Sequence, residues 1–399
     1  MVRTLISSLL MSVFLVSTAS AQEAEIHRYA TLPFCTEVTG LFVTQNDLFF
    51  NVQHPNETNS GINRGTIGVV PSPDFTQSIG LPMGIAKETV QVAGGVYTIL
   101  GQSDLNGLAE IRSIEGELMF VSSNPDFNGV VALNDDASEA IIYTNWEERP
   151  GGMSAMHIVK VDRKWTVQRT EMLDVSSVGG TWVNCFGTMS PWGTPISSEE
   201  LYFDETADWS NPEFKYYDSN VLAMHEYLGY CGNPYRYGWN VEIVNPASIE
   251  TATPVKLTAM GRFSHENVAV MNDQKTVYQS DDGGNVVFFK FIADNKADLS
   301  VGTLYAAKAT QKAHELLSLE WIKLAHATQY QVDAWIAEYD GATAGISDEE
   351  VAIWARGDAV DDRVAFLESR KAAKTKGATA EFNKMMKTYG ALLLHTFTN

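Results

Sequence analysis

The chain has 399 residues, of which 45% are hydrophobic, and its formal net charge at pH 7 is −21. This hydrophobic fraction can form a core, which argues against an intrinsically disordered chain. The negative charge argues against a nucleic-acid partner, because binding to a phosphate backbone requires lysine and arginine to replace its counterions. We therefore expect an acidic globular protein of one large domain or two ordinary ones.

The N-terminus has the features of an export signal. Arg3 precedes an apolar stretch from Leu5 to Val16, and the small residues at 17–21 form a cleavage site after Ala21. This stretch is too short to span a bilayer, and no later run is long enough to do so. We expect residues 1–21 to be removed, which leaves no integral membrane segment in a secreted or periplasmic protein that begins near Gln22.

The cysteine count is odd, since the chain contains Cys35, Cys185 and Cys231. An oxidising compartment favours one disulfide and leaves one thiol over. The remaining thiol is then either buried and inert or a metal ligand. The pairing is left open at this point.

Residues 22–307 have the pattern of an all-β fold. Between Thr39 and Phe291, short apolar segments such as 47–52 and 140–144 are separated by Gly, Asn, Asp and Pro, without an intervening helical period. Many short strands of this kind form a sandwich, a barrel or a propeller. The length favours a β-propeller, because each blade uses four strands and roughly 40–50 residues.

The pattern changes at about Lys308. Apolar residues at 316, 317, 321 and 324 recur at helical spacing. Ser347 followed by Glu350 predicts a capped helix start, and 361–375 is predicted to be a helix that ends before Gly377. We predict a C-terminal helical insertion over 308–387, which could form a pocket rim or lid. Residues 388–399 are predicted to be a tail or the start of a closing strand, and a shortened chain is the alternative.

The densest group of candidate ligands lies between Asn184 and Glu200. Cys185 lies in a segment rich in Gly and Pro, and the carboxylates of Glu199 and Glu200 follow a short strand. A thiolate together with carboxylates suits iron or zinc better than magnesium. The alternative is a buried free cysteine and a solvated acidic pair.

A second candidate segment runs from Gly261 to Asn267. In a strand, Arg262, Ser264 and Glu266 would share one face. The arginine could then hold a phosphate oxygen and the carboxylate a metal ion in the same cavity. The alternative is an arginine–glutamate pair on the surface, which contributes little to stability.

Two shorter segments complete the set. Asp281 and Asp282 lie in an acidic turn after a strand, and calcium is bound by hard oxygen ligands of this kind, although a plain β-turn has the same composition. Gln53 and His54 end an apolar strand, where a lone histidine is more often structural than catalytic. The sequence lacks a Gly-x-Ser-x-Gly elbow and a His-Glu-x-x-His motif, which argues against a serine hydrolase or a zincin.

Together these segments resemble the PhoX family of calcium- and iron-dependent alkaline phosphatases. The matching segments are NCFGTMSPWGTPISSEE, GRFSHE, VYQSDDGG and FNVQHP, with a weaker match over 372–379. The resemblance implies a β-propeller with a central cavity that holds an iron–calcium cluster. It also implies hydrolysis of small phosphate esters, without a serine nucleophile, by a monomeric enzyme whose metals and arginines stabilise the phosphoryl oxygens.

The resemblance also implies roles for individual residues. Arg262 and His54 would lie near the catalytic centre. The implied metal ligands are Cys185 for iron, Glu266 as a carboxylate shared between metals, and, for calcium, Glu199 or Glu200 and Asp281 or Asp282.

One segment departs from the family pattern. After the Gly-Ala-Thr stretch at 377–379, the family usually shows an Arg-Pro-Glu-like segment, whereas this chain has Asn383, Lys384 and Met385. Three hypotheses follow. The chain is an exported phosphatase of the PhoX type, a non-catalytic calcium-stabilised propeller that binds a ligand or partner, or another propeller hydrolase such as a calcium-dependent lactonase.

Overall fold

The computed structural model describes residues 27–55, 63–200, 206, 219–313, 316–342, 344–383 and 385. The predicted export signal at 1–21 and the predicted tail at 388–399 lie outside the described residues. Among the helices in the described part of the chain, none combines the length and the apolar character needed to cross a bilayer.

The first sheet is antiparallel and has the strand order β2-β3-β4-β6, while β1 and β5 pair separately. All seven residues of β3 are buried. On one face of this sheet, Phe50 and Val70 pack against Tyr97. A 3₁₀ helix covers Gly84–Glu88. The strands are β1 (Ala30–Thr31), β2 (Glu37–Val43), β3 (Asp47–Gln53), β4 (Thr66–Pro71), β5 (Gln91–Val92) and β6 (Thr98–Gln102).

The second sheet follows a short hairpin and is again antiparallel, in the order β9-β10-β11-β12. Each strand pairs with its chain neighbour, as expected when short turns join alternating apolar segments, and the register shifts once near Thr144 and once near His157. A 3₁₀ helix at Ser176–Val178 follows it. The hairpin is β7 (Glu110–Arg112) and β8 (Leu118–Val121), and the sheet is β9 (Pro125–Ala132), β10 (Glu139–Trp146), β11 (Gly152–Val161) and β12 (Lys164–Met172).

The third sheet has the order β13-β14-β15-β16, and a helix lies between its second and third strands. Two 3₁₀ helices flank β15 and β16, at Pro234–Arg236 and Thr258–Met260. The elements are β13 (Asn184–Met189), β14 (Pro195–Glu199), α1 (Ser219–Leu228), β15 (Asn240–Val244) and β16 (Thr253–Lys256).

The fourth sheet has five strands in the order β17-β18-β20-β21-β22, and β19 pairs with β23, the last strand among the described residues. Its last two strands form a long hairpin. The strands are β17 (His265–Val270), β18 (Thr276–Asp281), β19 (Gly284–Val286), β20 (Phe289–Asn295), β21 (Asp298–Ala313), β22 (Leu316–Thr328) and β23 (Phe382–Asn383).

Four helices lie between β22 and β23 and pack on the fourth sheet. Phe366, which is fully buried, lies in a core with Phe289 and Leu304 of that sheet. The predicted cap is confirmed, since the Ser347 hydroxyl accepts from the Glu350 amide and the Glu350 side chain accepts from the Ser347 amide. The helices are α2 (Gln329–Ala337), α3 (Asp348–Arg356), α4 (Arg363–Leu367) and α5 (Ser369–Thr375).

The four large sheets are arranged as propeller blades. Their first strands, β2, β9, β13 and β17, lie side by side, and within each sheet the strands follow the chain order from this inner edge outward. Apolar cores fill the spaces between neighbouring sheets; for example, Ile142 and Phe49 join the first two, and Ile196 and Phe291 the last two. The prediction of an all-β propeller with a C-terminal helical insertion is confirmed.

The structure differs from the sequence prediction at the start of the insertion. Residues 316–324, predicted to be helical, form β22, and the first helix of the insertion begins at Gln329. The β21–β22 pair contains register shifts near Leu304 and Gln311, so the buried positions of this hairpin do not follow strict alternation. An apolar pattern of this length fits a helix and a strand almost equally well, and here the pairing with β21 decides.

The expected disulfide is not formed. All three cysteines lie in the described part of the chain and are free thiols. Cys35 and Cys231 are exposed, whereas Cys185 is buried. The prediction of one disulfide is therefore wrong for this structure, and the buried thiol is the one in the motif with candidate metal ligands.

Candidate metal centre

Three sheets contribute acidic or thiol side chains to one place at the propeller centre. The ligand atoms of Asp126, Glu147 and Cys185 all lie within 4.8 Å of one another, and so do those of Cys185, Glu200 and Glu266. Cys185 belongs to both groups. We call these five residues the Cys185 cluster.

The cluster arises from one arrangement that occurs in three sheets. Asp126, Cys185 and Glu266 are the second residues of the inner strands β9, β13 and β17. Each inner strand pairs with an antiparallel partner strand, which ends opposite the first residue of the inner strand. The residue that follows the partner strand therefore lies at the same edge of the sheet as the start of the inner strand. That following residue is Glu147, Glu200 or Asp282.

The thiol is the centre of the cluster. Cys185 Sγ lies 3.3 Å from Oδ2 of Asp126 and 3.7 Å from Oε2 of Glu266. Asp126, Cys185 and Glu266 are each at most 3% exposed. Gln53 supports the cluster from the first sheet, because its amide donates to Oε2 of Glu147 over 2.6 Å.

The electrostatics of the cluster favour a cation. The pKa of Glu200 is raised to about 9, mainly by burial and further by a hydrogen bond with Asp282 and the charges of Glu266 and Glu147, while the Cys185 thiol lowers it. Carboxylates this close cannot all ionise unless positive charge is supplied. A divalent cation would supply that charge and bind to the ionised form of each group.

The donor set fits transition metals and calcium together. Cys185 offers a soft sulfur ligand of the kind that iron or zinc accepts, whereas the carboxylates offer the hard oxygens that calcium prefers. The overlap of the two groups of ligand atoms at Cys185 and their short spacing would allow more than one ion to share ligands. The residues present therefore fit a metal centre.

Glu199 lies outside the cluster, although it is adjacent to Glu200. Its Oε1 accepts from the amide of Trp182 and lies 3.0 Å from Nζ of Lys256. Its Oε2 accepts from the amides of Gly238 and Trp239, over 2.8 and 3.0 Å. Glu199 is fully buried, and this set of donors satisfies both oxygens, which suits a structural carboxylate.

The two aspartates of the acidic turn are separated by their contacts. Asp281 is fully buried and binds the guanidinium of Arg370, whose Nε lies 3.0 and 2.8 Å from the two carboxylate oxygens. Asp282 instead directs its side chain to Glu200, to which it is hydrogen-bonded. The structure thus brings Asp282 to the cluster and pairs Asp281 with an arginine of the helical insertion.

Arg262 and His54 are not brought into the cluster. The guanidinium of Arg262 donates to the carbonyl oxygens of Tyr237, Leu367 and Pro234, so it joins the third sheet to the insertion. His54 is 55% exposed, and its Nε2 lies 3.8 Å from a carboxylate oxygen of Glu37. Arg262 precedes β17, and therefore the shared strand face predicted for Arg262 and Glu266 does not form.

Sequence reasoning missed Asp126, Glu147 and Arg370, and it singled out the segment of Gln53 without assigning Gln53 a role. A signal for Glu147 was present, because an acidic pair stands at the end of a strand at 147–148, as another does at 199–200. Asp126 follows a proline at the start of a strand and resembles an ordinary turn residue. Nothing in the local sequence distinguishes Arg370 from a surface residue.

Fold and cluster together define a β-propeller with a thiol-containing acidic site at its centre. The family model described as alkaline phosphatase PhoX matches residues 143–385, which is more than half of the chain. The chain therefore belongs to the PhoX family. No curated protein matches the sequence.

Several solved structures are similar to this chain. Pseudomonas fluorescens PhoX in complex with vanadate is 21% identical over 65% of this chain and 55% of that chain, with a TM-score of 0.46. This chain thus spans just over half the length of that protein. The GH43_1 enzyme from Xanthomonas citri complexed with xylotriose is 13% identical over 76% of this chain and 89% of that chain (TM-score 0.31). RS223-Beta-xylosidase is 10% identical over 75% and 93% (TM-score 0.32).

Proposed function

We propose that this protein is an exported, metal-dependent phosphomonoester hydrolase that holds iron and calcium at the Cys185 cluster and acts on small phosphate esters. The observation that carries the proposal is the convergence of one thiol and four carboxylates, from three sheets, in two overlapping groups with ligand atoms within 4.8 Å. Membership of the alkaline phosphatase PhoX family supports the reaction class. The chemistry of the donors supports the choice of metals.

The two metals would use different parts of the cluster, together with the adjacent Asp282. We assign iron to Cys185, because a thiolate is a soft ligand and its nearest carboxylate oxygen, on Asp126, is only 3.3 Å away. We assign calcium to the carboxylates of Glu200, Glu266 and Asp282, because calcium takes several oxygen ligands in flexible geometry. Glu266 would be shared, since it also contacts the thiol.

The residues of the chain prepare the site for an anionic substrate. Bound metal ions would supply the positive charge that stabilises phosphoryl oxygens during hydrolysis. Glu200 would give up its proton to bind a cation, because only the ionised carboxylate is a good ligand. Gln53 holds one oxygen of Glu147 and so fixes the direction of the other. Asp126, Cys185 and Glu266 are buried on the inner strands, so their ligand atoms are held in place and are shielded from solvent by the protein.

Hydrolysis of p-nitrophenyl phosphate at alkaline pH by the purified mature protein tests the proposal. We expect turnover with calcium present and loss of turnover with a chelator. The variant Glu266→Gln should lose both activity and metal, whereas Glu338→Gln, on the surface of the insertion, should retain both. Absence of turnover from folded, metal-loaded protein would contradict the enzymatic proposal.

Export has its own test. The pattern at 1–21 supports cleavage after Ala21. We expect N-terminal sequencing of protein from the periplasm or the medium to begin at Gln22. Recovery of cytoplasmic protein that begins at Met1 or Val2 would contradict export without affecting the proposed chemistry.

A second candidate function is a non-catalytic calcium-binding propeller. The observation in its favour is that Arg262, the arginine expected near the phosphate, is committed to three backbone carbonyls. In addition, Asn383 lies at a position where the family usually has an Arg-Pro-Glu-like segment, and its side chain accepts from the amide of Asn285. Under this alternative, calcium raises the melting temperature and no phosphate ester is hydrolysed.

A further inference from the structure

The helical insertion reaches the acidic turn of the fourth sheet through one side chain. Arg370 lies on α5, and its side chain is 15% exposed. Its guanidinium binds both carboxylate oxygens of Asp281, and Nη2 also donates to the carbonyl oxygen of Asp282 over 2.6 Å. One residue thus holds a side chain and the following backbone of the same turn.

The turn held by Arg370 is the one that carries Asp282 to the cluster. The amide of Asp282 donates to the carbonyl oxygen of Ser264 over 2.8 Å, and the amide of Val287 donates to Oδ2 of Asp281 over 3.3 Å. Gly283 follows with a φ of +125°, a conformation that side-chain-bearing residues rarely adopt. The backbone of Asp282 is therefore held at its amide by Ser264 and at its carbonyl by Arg370. These two contacts fix the direction of the Asp282 side chain.

The contact is specific for arginine. A guanidinium can bind both oxygens of a carboxylate and still donate to a neighbouring carbonyl, because its donors form a planar fork. A lysine has a single nitrogen and could hold Asp281 or the Asp282 carbonyl, but not both in the same geometry. Lys374, one turn further along α5, adds positive charge near Asp281.

We propose that Arg370 is a positioning residue for the metal centre: by clamping Asp281 and the Asp282 carbonyl, it orients the Asp282 carboxyl toward Glu200 and the cation sites. This inference rests on the proposed function only in requiring that a cation binds to the cluster. It assigns to the insertion a role in assembling the centre, in addition to packing on the fourth sheet. Partners that orient ligands commonly change metal affinity 10–100-fold when they are removed.

Calcium titration of chelator-treated protein by calorimetry tests the inference without an activity assay. We expect calcium to bind about 10–100-fold more weakly to Arg370→Gln, with partial recovery in Arg370→Lys. The matched control is Arg363→Gln, since Arg363 pairs with Asp361 and Glu338 in the same insertion. That control should bind calcium as the parent does.

A double-mutant comparison separates positioning from ligation. If Asp281 acts only as the partner of Arg370, then Arg370→Gln combined with Asp281→Asn should bind calcium no more weakly than Arg370→Gln alone. The double variant also provides a folded protein if the single variant fails to fold because of an uncompensated buried carboxylate. If Arg370→Gln does not fold, the calcium affinity of the double variant is compared with that of Asp281→Asn.

The outcomes distinguish this inference from the function on which it rests. Calcium binding in the parent together with unchanged affinity in folded Arg370→Gln overturns the positioning role and leaves the proposed function intact. A double variant that binds much more weakly than either single variant also overturns it, because Asp281 would then contribute independently. Absence of calcium binding in the parent overturns both.

Discussion

Sγ of Cys185 lies 3.7 Å from Oε2 of Glu266, although 81 positions separate the two residues in the chain. Both are the second residues of the inner strands of neighbouring sheets. Their contact therefore reflects the way in which successive blades present the same strand position to the propeller axis.

Iron content should depend on the buried thiol. We expect Cys185→Ser to lower the bound iron strongly, because a hydroxyl is a poor substitute for a thiolate ligand. Elemental analysis of purified protein measures this. Cys231→Ser, at an exposed cysteine, is the control and should leave the iron content unchanged. Equal iron in Cys185→Ser and the parent would exclude Cys185 as the iron ligand.

Calcium binding should release a proton. The pKa of Glu200 is raised to about 9, so this carboxyl is protonated near neutral pH until a cation binds. We expect calcium affinity to increase with pH up to about 9, and Glu200→Gln to remove this dependence. Calorimetry in buffers of different ionisation enthalpy counts the protons. Calcium binding without proton release at neutral pH would contradict the assignment of Glu200 as a ligand.

The metal-free protein should lose stability as the pH rises. Since the pKa of Glu200 is about 9 in the folded state and near 4.5 when unperturbed, the folded state binds more protons than the unfolded chain between these values. The free energy of unfolding therefore falls with pH in this window, by up to about 1.4 kcal/mol per pH unit for one proton. Denaturation with a chelator present measures the slope, and Glu200→Gln should flatten it. A rise in stability toward pH 9 would contradict this account.

Gln53 should matter to the metal centre, whereas His54 should not. Gln53 is 1% exposed and donates to Glu147, whereas His54 is largely exposed. We expect Gln53→Leu to weaken metal binding by about 10-fold or more, because Glu147 loses the donor that orients it. His54→Ala is the matched control and should bind metal normally. A larger effect of His54→Ala than of Gln53→Leu would reverse the assignment.

Glu199 should act in folding rather than in metal binding. Its pair with Lys256 is buried, so Lys256→Met should destabilise the protein by about 3–5 kcal/mol by leaving a carboxylate without its cation. The double variant Glu199→Gln and Lys256→Met should recover part of this loss and retain calcium. Urea denaturation and metal analysis measure the two effects. Arg169→Gln, at an exposed ion pair, is the control and should change the stability little. Loss of calcium from a folded double variant would restore Glu199 as a ligand.

Local sequence patterns predicted most of the elements. The segments 47–52 and 140–144 are strands, and the cap at Ser347 forms as the sequence indicates, because propensity and hydrogen bonding within a few residues decide these features. The helix predicted over 316–324 failed because its apolar spacing is compatible with two conformations. Pairing with β21, which is a tertiary contact, selects the strand.

The candidate site was only partly predictable. Cys185, Glu200, Glu266 and Asp282 stand in motifs that mark them as candidate ligands, and the structure brings them together. The sequence could not distinguish Glu200 from Glu199, because adjacent residues of a strand end differ only in the direction of their side chains. It could not distinguish Asp282 from Asp281 either, since the arginine that binds Asp281 lies 89 positions away.

The sequence by itself determined the alternation of short strands, the helical character of the insertion and the residue types of the site. It did so because the side-chain period, the turn residues and the chemistry of thiol and carboxylate are local properties. Only the tertiary structure decided which candidates meet. Asp126 and Glu147 join Cys185, while Arg262 binds backbone carbonyls of the third-sheet region and of the insertion, because blade packing sets the distances between residues that are far apart in the chain.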